Sequence, residues 1–169
     1  MRILLLNPPF KTEYGRFSRT SRSPAITKSG TLYYPIWLCY AAGVLAEAGH
    51  QVKLIDSCAY EYNLEKTLQL VSEFKPQIAV LDTSTPSIYS DVRTGSEIKN
   101  ILPDCFVVLM GTHPTALPEE TLKLDGKIDA IYRMDDAFGQ MKIGAKALDL
   151  QQYVAVLIEF CLLWHKAPS

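Results

Sequence analysis

Residues 77–111 read QIAVLDTSTPSIYSDVRTGSEIKNILPDCFVVLMG. After Pro76, residues 77–81 form a short apolar run that ends at Asp82. Residues 88–102 carry a helical pattern, weakened by Gly95 in its interior. Residues 105–110 form a second apolar run, closed by Gly111. Strand, helix, strand, with both strands rich in Val, Ile and Leu, reads as a unit of a parallel sheet covered on both faces.

The same rhythm extends outward. Towards the N-terminus, residues 64–74 show a helical stripe at 64, 68, 71 and 74, and residues 51–55 form a strand ending at Asp56. Residues 36–48 carry apolar side chains at 36, 37, 40, 41, 44, 45 and 48, a helix that stops at Gly49. Residues 2–6 form the first strand, which ends in Asn7-Pro8-Pro9 because proline removes the amide donor. Towards the C-terminus, residues 117–124 form a short helix with Pro118 in its first turn, and residues 128–132 a fifth strand. Five strands alternating with helices predict an α/β fold. It is a doubly wound five-stranded parallel sheet, flavodoxin-like or Rossmann-like, over residues 1–132.

Two regions break the rhythm. Residues 8–35 make a connection far longer than the usual two to six residues. This loop holds Lys11, Arg16, Arg19, Arg22 and Lys28 against the single acid Glu13, with Tyr14, Phe17, Tyr33 and Tyr34 among them. Two readings stand: a cover for a bulky anionic ligand, or a solvated surface loop. Residues 133–169 are predicted to form a linker and a C-terminal helix. Its apolar side chains run almost all the way round between Tyr153 and Trp164, so it must pack on the sheet, another subunit or another domain.

Composition bounds the function. The 169 residues suit one domain and are too few for a second full-sized catalytic domain. Seventeen basic residues against eighteen acidic give no reason to expect a nucleic-acid partner. The four cysteines form no C-x-x-C pair, so neither a zinc ribbon nor a local iron–sulfur cradle is expected, and Cys39 and Cys105 read as buried thiols. The first ten residues lack the apolar length of a signal peptide, and the apolar tail falls short of a bilayer span. The expected location is the cytoplasm.

In an open α/β sheet, ligands bind beyond the carboxyl ends of the strands. The informative residues are therefore those just after each strand: Asn7, Pro8 and Pro9 after the first, Asp56 and Ser57 after the second, and Asp82 through Ser87 after the third. After the fourth come Gly111, Thr112, His113 and Pro114. The hydroxyls can bond a ligand's amides or phosphate, and at least one is expected to cap the following helix. Gly111 lets a ligand approach the backbone. There is no G-x-G-x-x-G, no P-loop lysine and no G-x-S-x-G. Asp56 and Asp82 end strands as in response regulators, but a phospho-acceptor site needs an acidic pair where this chain has Asn-Pro-Pro.

These loops also carry a resemblance. The segments ILLLNPP at 3–9, TLYYPIWLCYAAGVLAEA at 31–48 before Gly49-His50, VKLID at 52–56, DTSTPS at 82–87 and GTHPTALPEE at 111–120 occur in order. The chain resembles the N-terminal cobalamin-binding domain of B12-dependent radical S-adenosylmethionine enzymes over roughly residues 1–132. The resemblance implies a corrinoid held over the carboxyl edge of the sheet, its nucleotide tail in a groove beside the sheet. It places the lower face on the loops after strands one, three and four, which by position are Asn7, Pro8 and Pro9, then Thr83, Ser84, Thr85, Pro86 and Ser87, then Gly111, Thr112, His113 and Pro114. The mutase type of B12 domain ligates cobalt through D-x-H-x-x-G. His113 has Gly111 two residues before it and Ala116 three after, so no cobalt ligation and no other metal ligand is assigned.

Two departures shape the functional reading. The family's C-x-x-x-C-x-x-C cluster motif is absent from this chain, so no 4Fe-4S cluster or S-adenosylmethionine site is expected here. Where the family commonly has Gly-Glu after its fifth strand, this chain reads Arg133-Met134-Asp135-Asp136, and the tail departs from the family. It reads as a truncation, a frame-shifted end or a stand-alone variant. The expectation is a cobalamin-binding module without catalytic residues of its own. Its partner would be a radical S-adenosylmethionine barrel, or a second copy through the C-terminal helix. The alternatives are a small-molecule transferase binding a nucleotide or sugar phosphate, with His113 or Asp82 as catalyst, and a non-catalytic fragment.

Overall fold

Strands that are apolar on both faces must be covered on both, and this requirement organises the molecule. The computed structural model describes residues 1–11, 13, 16–19, 25–27, 29–133 and 140–143. The elements run β1 (Arg2–Asn7), β2 (Arg16–Ser18), β3 (Ala25–Thr27), α1 (Ile36–Glu47), β4 (Gln51–Asp56), α2 (Leu64–Phe74) and β5 (Ile78–Thr83). A 3-10 turn (Thr85–Ser87), α3 (Ile88–Ile101), β6 (Phe106–Gly111), α4 (Thr112–Ala116), α5 (Pro118–Leu124), β7 (Ala130–Arg133) and β8 (Gln140–Ile143) follow.

The sheet order is β4-β1-β5-β6-β7-β8. The first five of these strands are parallel, the predicted doubly wound arrangement. Alternation along the strands sorts the core into two layers. Ile3, Leu5, Ile78 and Val80 meet Leu38, Ala41 and Leu45 of α1 on one face. Leu4, Leu6, Ala79 and Leu81 meet Val71 of α2 and Ile88, Val92 and Ile98 of α3 on the other. Gly95, a weakness in a free helix, lies where α3 comes closest to the sheet: a Cβ there would sit 2.8 Å from Ile128 Cδ1 and 3.2 Å from Val107 Cγ1.

Several expectations are corrected. Helix α1 buries Leu38, Ala41 and Leu45 and leaves Trp37 and Tyr40 40% and 53% exposed. Its sequence is apolar almost all round, so periodicity alone points to the wrong face. Cys39 is accordingly exposed, whereas Cys105 is buried as expected. Residues 140–143, read as linker, form β8 and pair antiparallel with β7. Within the long loop, β2 and β3 form a small antiparallel hairpin. The C-terminal helix and its packing lie outside the described residues. Among the described residues, no helix is long and apolar enough to cross a membrane.

Candidate functional site

The parallel strands end together. Asn7 pairs with Asp56 across β1 and β4, and Thr83 with Gly111 across β5 and β6. From β1 the chain moves out to β4 and returns to β5 on the opposite side of β1, so the order reverses between β1 and β5. That reversal opens the crevice where ligands bind in such sheets. All three predicted loops leave the sheet at this edge.

Gly111 fixes how close two of them come. Its φ is 119°, and a Cβ there would lie 2.1 Å from the Thr83 carbonyl oxygen. Only glycine lets the end of β6 lie this near the end of β5. The Thr83 hydroxyl adds a hydrogen bond of 2.7 Å to the Met110 carbonyl. Residues 112–116, expected as loop, turn directly into α4, where Pro114 is tolerated in the first turn. His113 is buried there, 7% exposed.

The hydroxyls after β5 do not cap the helix as expected, and no side-chain cap bond forms at either Ser84 or Ser87. Instead Ser84 Oγ meets Ser87 Oγ at 2.8 Å, and Ser87 Oγ donates to Asp91 Oδ2 at 2.6 Å. Thr83, Ser84 and Ser87 are thereby buried, while Thr85 and Pro86 stand exposed at the edge. On the neighbouring loop Thr112, Ala116 and Leu117 are exposed. Asn7, Pro8 and Pro9 are buried, with Arg19 bonded to Asn7 and Pro8. The outer surface of the edge thus carries small, neutral side chains, and the inner polar groups are consumed by one another.

Three residues at this edge escape a motif search: Arg19, Cys58 and Asp91. Arg19, one of the basic residues of the long loop, has its side chain only 1% exposed and pairs with Asp91, 0% exposed, at the base of α3. Burial opposes its charge, but Asp91, together with Cys58 and Asp82 beside it, outweighs this and holds the guanidinium protonated beyond its ordinary range. Its Nη1 also donates to Asn7 Oδ1 and the Pro8 carbonyl, each at 2.7 Å. Asn7 Nδ2 in turn donates to Asp56 Oδ1 at 2.7 Å. Burial pushes the Asp82 carboxyl up to about 6, opposed by Arg19 and reinforced by Asp91. A lone arginine in a basic loop reads as solvated, and only tertiary geometry reveals this pairing.

Among the described residues no group of three or more His, Cys, Asp or Glu side chains is placed to hold a metal ion. A 280 Å³ hollow beside the edge is lined by Phe10, Lys11, Tyr62, Asn63 and Arg93 among others.

Comparison with known proteins gives a consistent picture. The family model described as the B12 binding domain matches residues 22–140. An uncharacterized methyltransferase of Pyrococcus horikoshii is 31% identical over 133 residues, 79% of this chain and 26% of its own. Anaerobic magnesium-protoporphyrin IX monomethyl ester cyclases of Rubrivivax gelatinosus and Cereibacter sphaeroides are 33% and 31% identical over 100 residues. Those matches cover 59% of this chain and 18% and 16% of the respective cyclases. The chain therefore spans about a quarter or less of the length of these curated relatives.

Proposed function

This chain belongs to the B12-binding domain family, and from that premise we propose that it holds cobalamin across the carboxyl edge of its sheet for a catalytic barrel of the radical S-adenosylmethionine type. The observation that carries this reading is the edge itself. Neutral, mostly small side chains (Thr85, Pro86, Thr112, Ala116 and Leu117) are exposed there, and Gly111 lets the loops after β5 and β6 lie side by side. Such a surface suits a broad macrocycle fringed with amides, because hydroxyls and backbone groups hydrogen-bond amides without bringing charge.

Asn7, Pro8 and Pro9 are buried behind this floor and support it from the side of β1. When bound, cobalamin supplies a cobalt centre that accepts and releases a methyl group. The protein contributes the platform, and the residues of the edge bind and orient the macrocycle. The methyltransferase relative supports methyl transfer as the role of the longer protein.

Incubation with hydroxocobalamin, desalting and a visible spectrum test the reading. The corrin bands are expected to elute with the protein at close to one per chain, and a colourless protein overturns it. Thr112→Trp places an indole on an exposed position of the floor. It is expected to lower retention by about tenfold or more while leaving the unfolding free energy from urea denaturation within roughly 0.5 kcal/mol of the parent, as exposed substitutions usually do.

A further inference from the structure

We infer that Arg19 is a positioning residue for the ligand floor: its guanidinium, delivered by the inserted hairpin, ties the loop after β1 to the loop after β5. The functional half of this inference rests on the corrinoid reading above, and the geometric half does not.

The loop after β1 cannot hold itself. Pro8 and Pro9 have no N–H, so they can be fixed only through their carbonyl groups and through Asn7. Arg19 supplies the missing donors, to Asn7 Oδ1 and to the Pro8 carbonyl. Cys58, after β4, joins at the same point: its Sγ lies 3.2 Å from Arg19 Nη1 and 3.2 Å from the Pro8 carbonyl oxygen. The other arm of the fork, Nη2, donates to Asp91 Oδ1 at 2.5 Å. Asp91 then receives Ser87, and Ser87 meets Ser84. One chain of hydrogen bonds thus runs from Asn7 and Pro8 through Arg19 and Asp91 to Ser87 and Ser84, residues of two different floor loops.

Energetics make the arrangement specific. A buried guanidinium loses several kcal/mol of hydration, so it is tolerated only where carboxylate and carbonyl acceptors surround it. Displacing Asp91 leaves the charge uncompensated, and displacing Asn7 or the Pro8 carbonyl weakens the hold on a buried donor. Lysine cannot replace the fork, because an ammonium at the end of a flexible stem does not span Asp91 and Pro8 in one plane.

Hydrogen exchange and cobalamin titration of Arg19→Met and Arg19→Lys test this on the whole chain. Without any ligand, Arg19→Met is expected to speed amide exchange at least tenfold at Phe10, Lys11, Ser84, Thr85, Ser87 and Ile88, with the central strands unchanged. Hydroxocobalamin affinity is expected to fall at least tenfold, and Arg19→Lys to restore less than half of that loss on a logarithmic scale. Should Arg19→Met fail to fold, Arg19→Met with Asp91→Asn removes both charges and serves in its place. Wild-type exchange in both loops together with wild-type affinity, even with a lower urea midpoint, marks Arg19 as merely stabilising and overturns the inference. If the parent protein binds no cobalamin, the corrinoid reading fails, and the exchange arm alone decides whether Arg19 couples the two loops.

Discussion

At Gly111 the backbone turns out of β6 at a φ that L side chains rarely adopt, against the Thr83 carbonyl. Gly111→Ala is expected to lower stability by about 3 kcal/mol or more, since a rare backbone region and a clash with a neighbouring strand add up. Urea denaturation measures it, and a loss below about 1 kcal/mol would show that the two strand ends can part. Asp82 offers a second test at this scale. Its folded value of about 6 stands above the ordinary 3.8, so the folded state holds the proton more tightly than the unfolded chain. The associated stability is present below about pH 4 and is lost as pH rises through about 6. Asp82→Asn is expected to flatten that slope and to raise stability near pH 8 by about 1–2 kcal/mol. An unchanged pH profile would count against it. Of these two residues, the glycine was legible in the sequence as a site where backbone must come close. The raised carboxyl was not, because it depends on burial and on its placing between Asp91 and Arg19, the latter far away along the chain.

Elements were the most legible scale, for a physical reason. Buried parallel strands leave short apolar runs with Asn-Pro-Pro, Asp or Gly at their ends, and β1, β4, β5 and β6 stand where those runs fall. Helix α2 has a clear face and a clear cap: Asn63 Oδ1 accepts from Lys66 N at 2.8 Å. Asn63→Ala is expected to cost about 1 kcal/mol, read as a shift of the thermal midpoint. No shift would mean that the loop before α2 caps it by other groups. The illegible elements were those whose identity is set by partners. Helix α1 is apolar nearly all round, so only the sheet selects Leu38, Ala41 and Leu45 as its inner face. Residues 140–143 become β8 because β7 offers an edge. The candidate site divides in the same way. The floor residues follow from strand ends and fold rules, whereas Arg19 and Asp91 are joined by tertiary contact across 72 positions of sequence.

For the molecule as a whole, one sheet with a reversal between β1 and β5 explains both where the crevice lies and why loops from distant parts of the chain meet there. The family match over residues 22–140 agrees with that architecture. The position of β1 has a further consequence, for how the chain reaches this state. Of the strands of this sheet, the one made first is flanked on both sides, by β4 and β5. During synthesis it must therefore stay unpaired until residue 56 has left the ribosome, and half-paired until residue 83 has followed. Through that interval Ile3, Leu4, Leu5 and Leu6 are an uncovered adhesive segment. Non-local parallel pairing of this kind leaves an apolar segment open to wrong partners for longer than a hairpin-first order would.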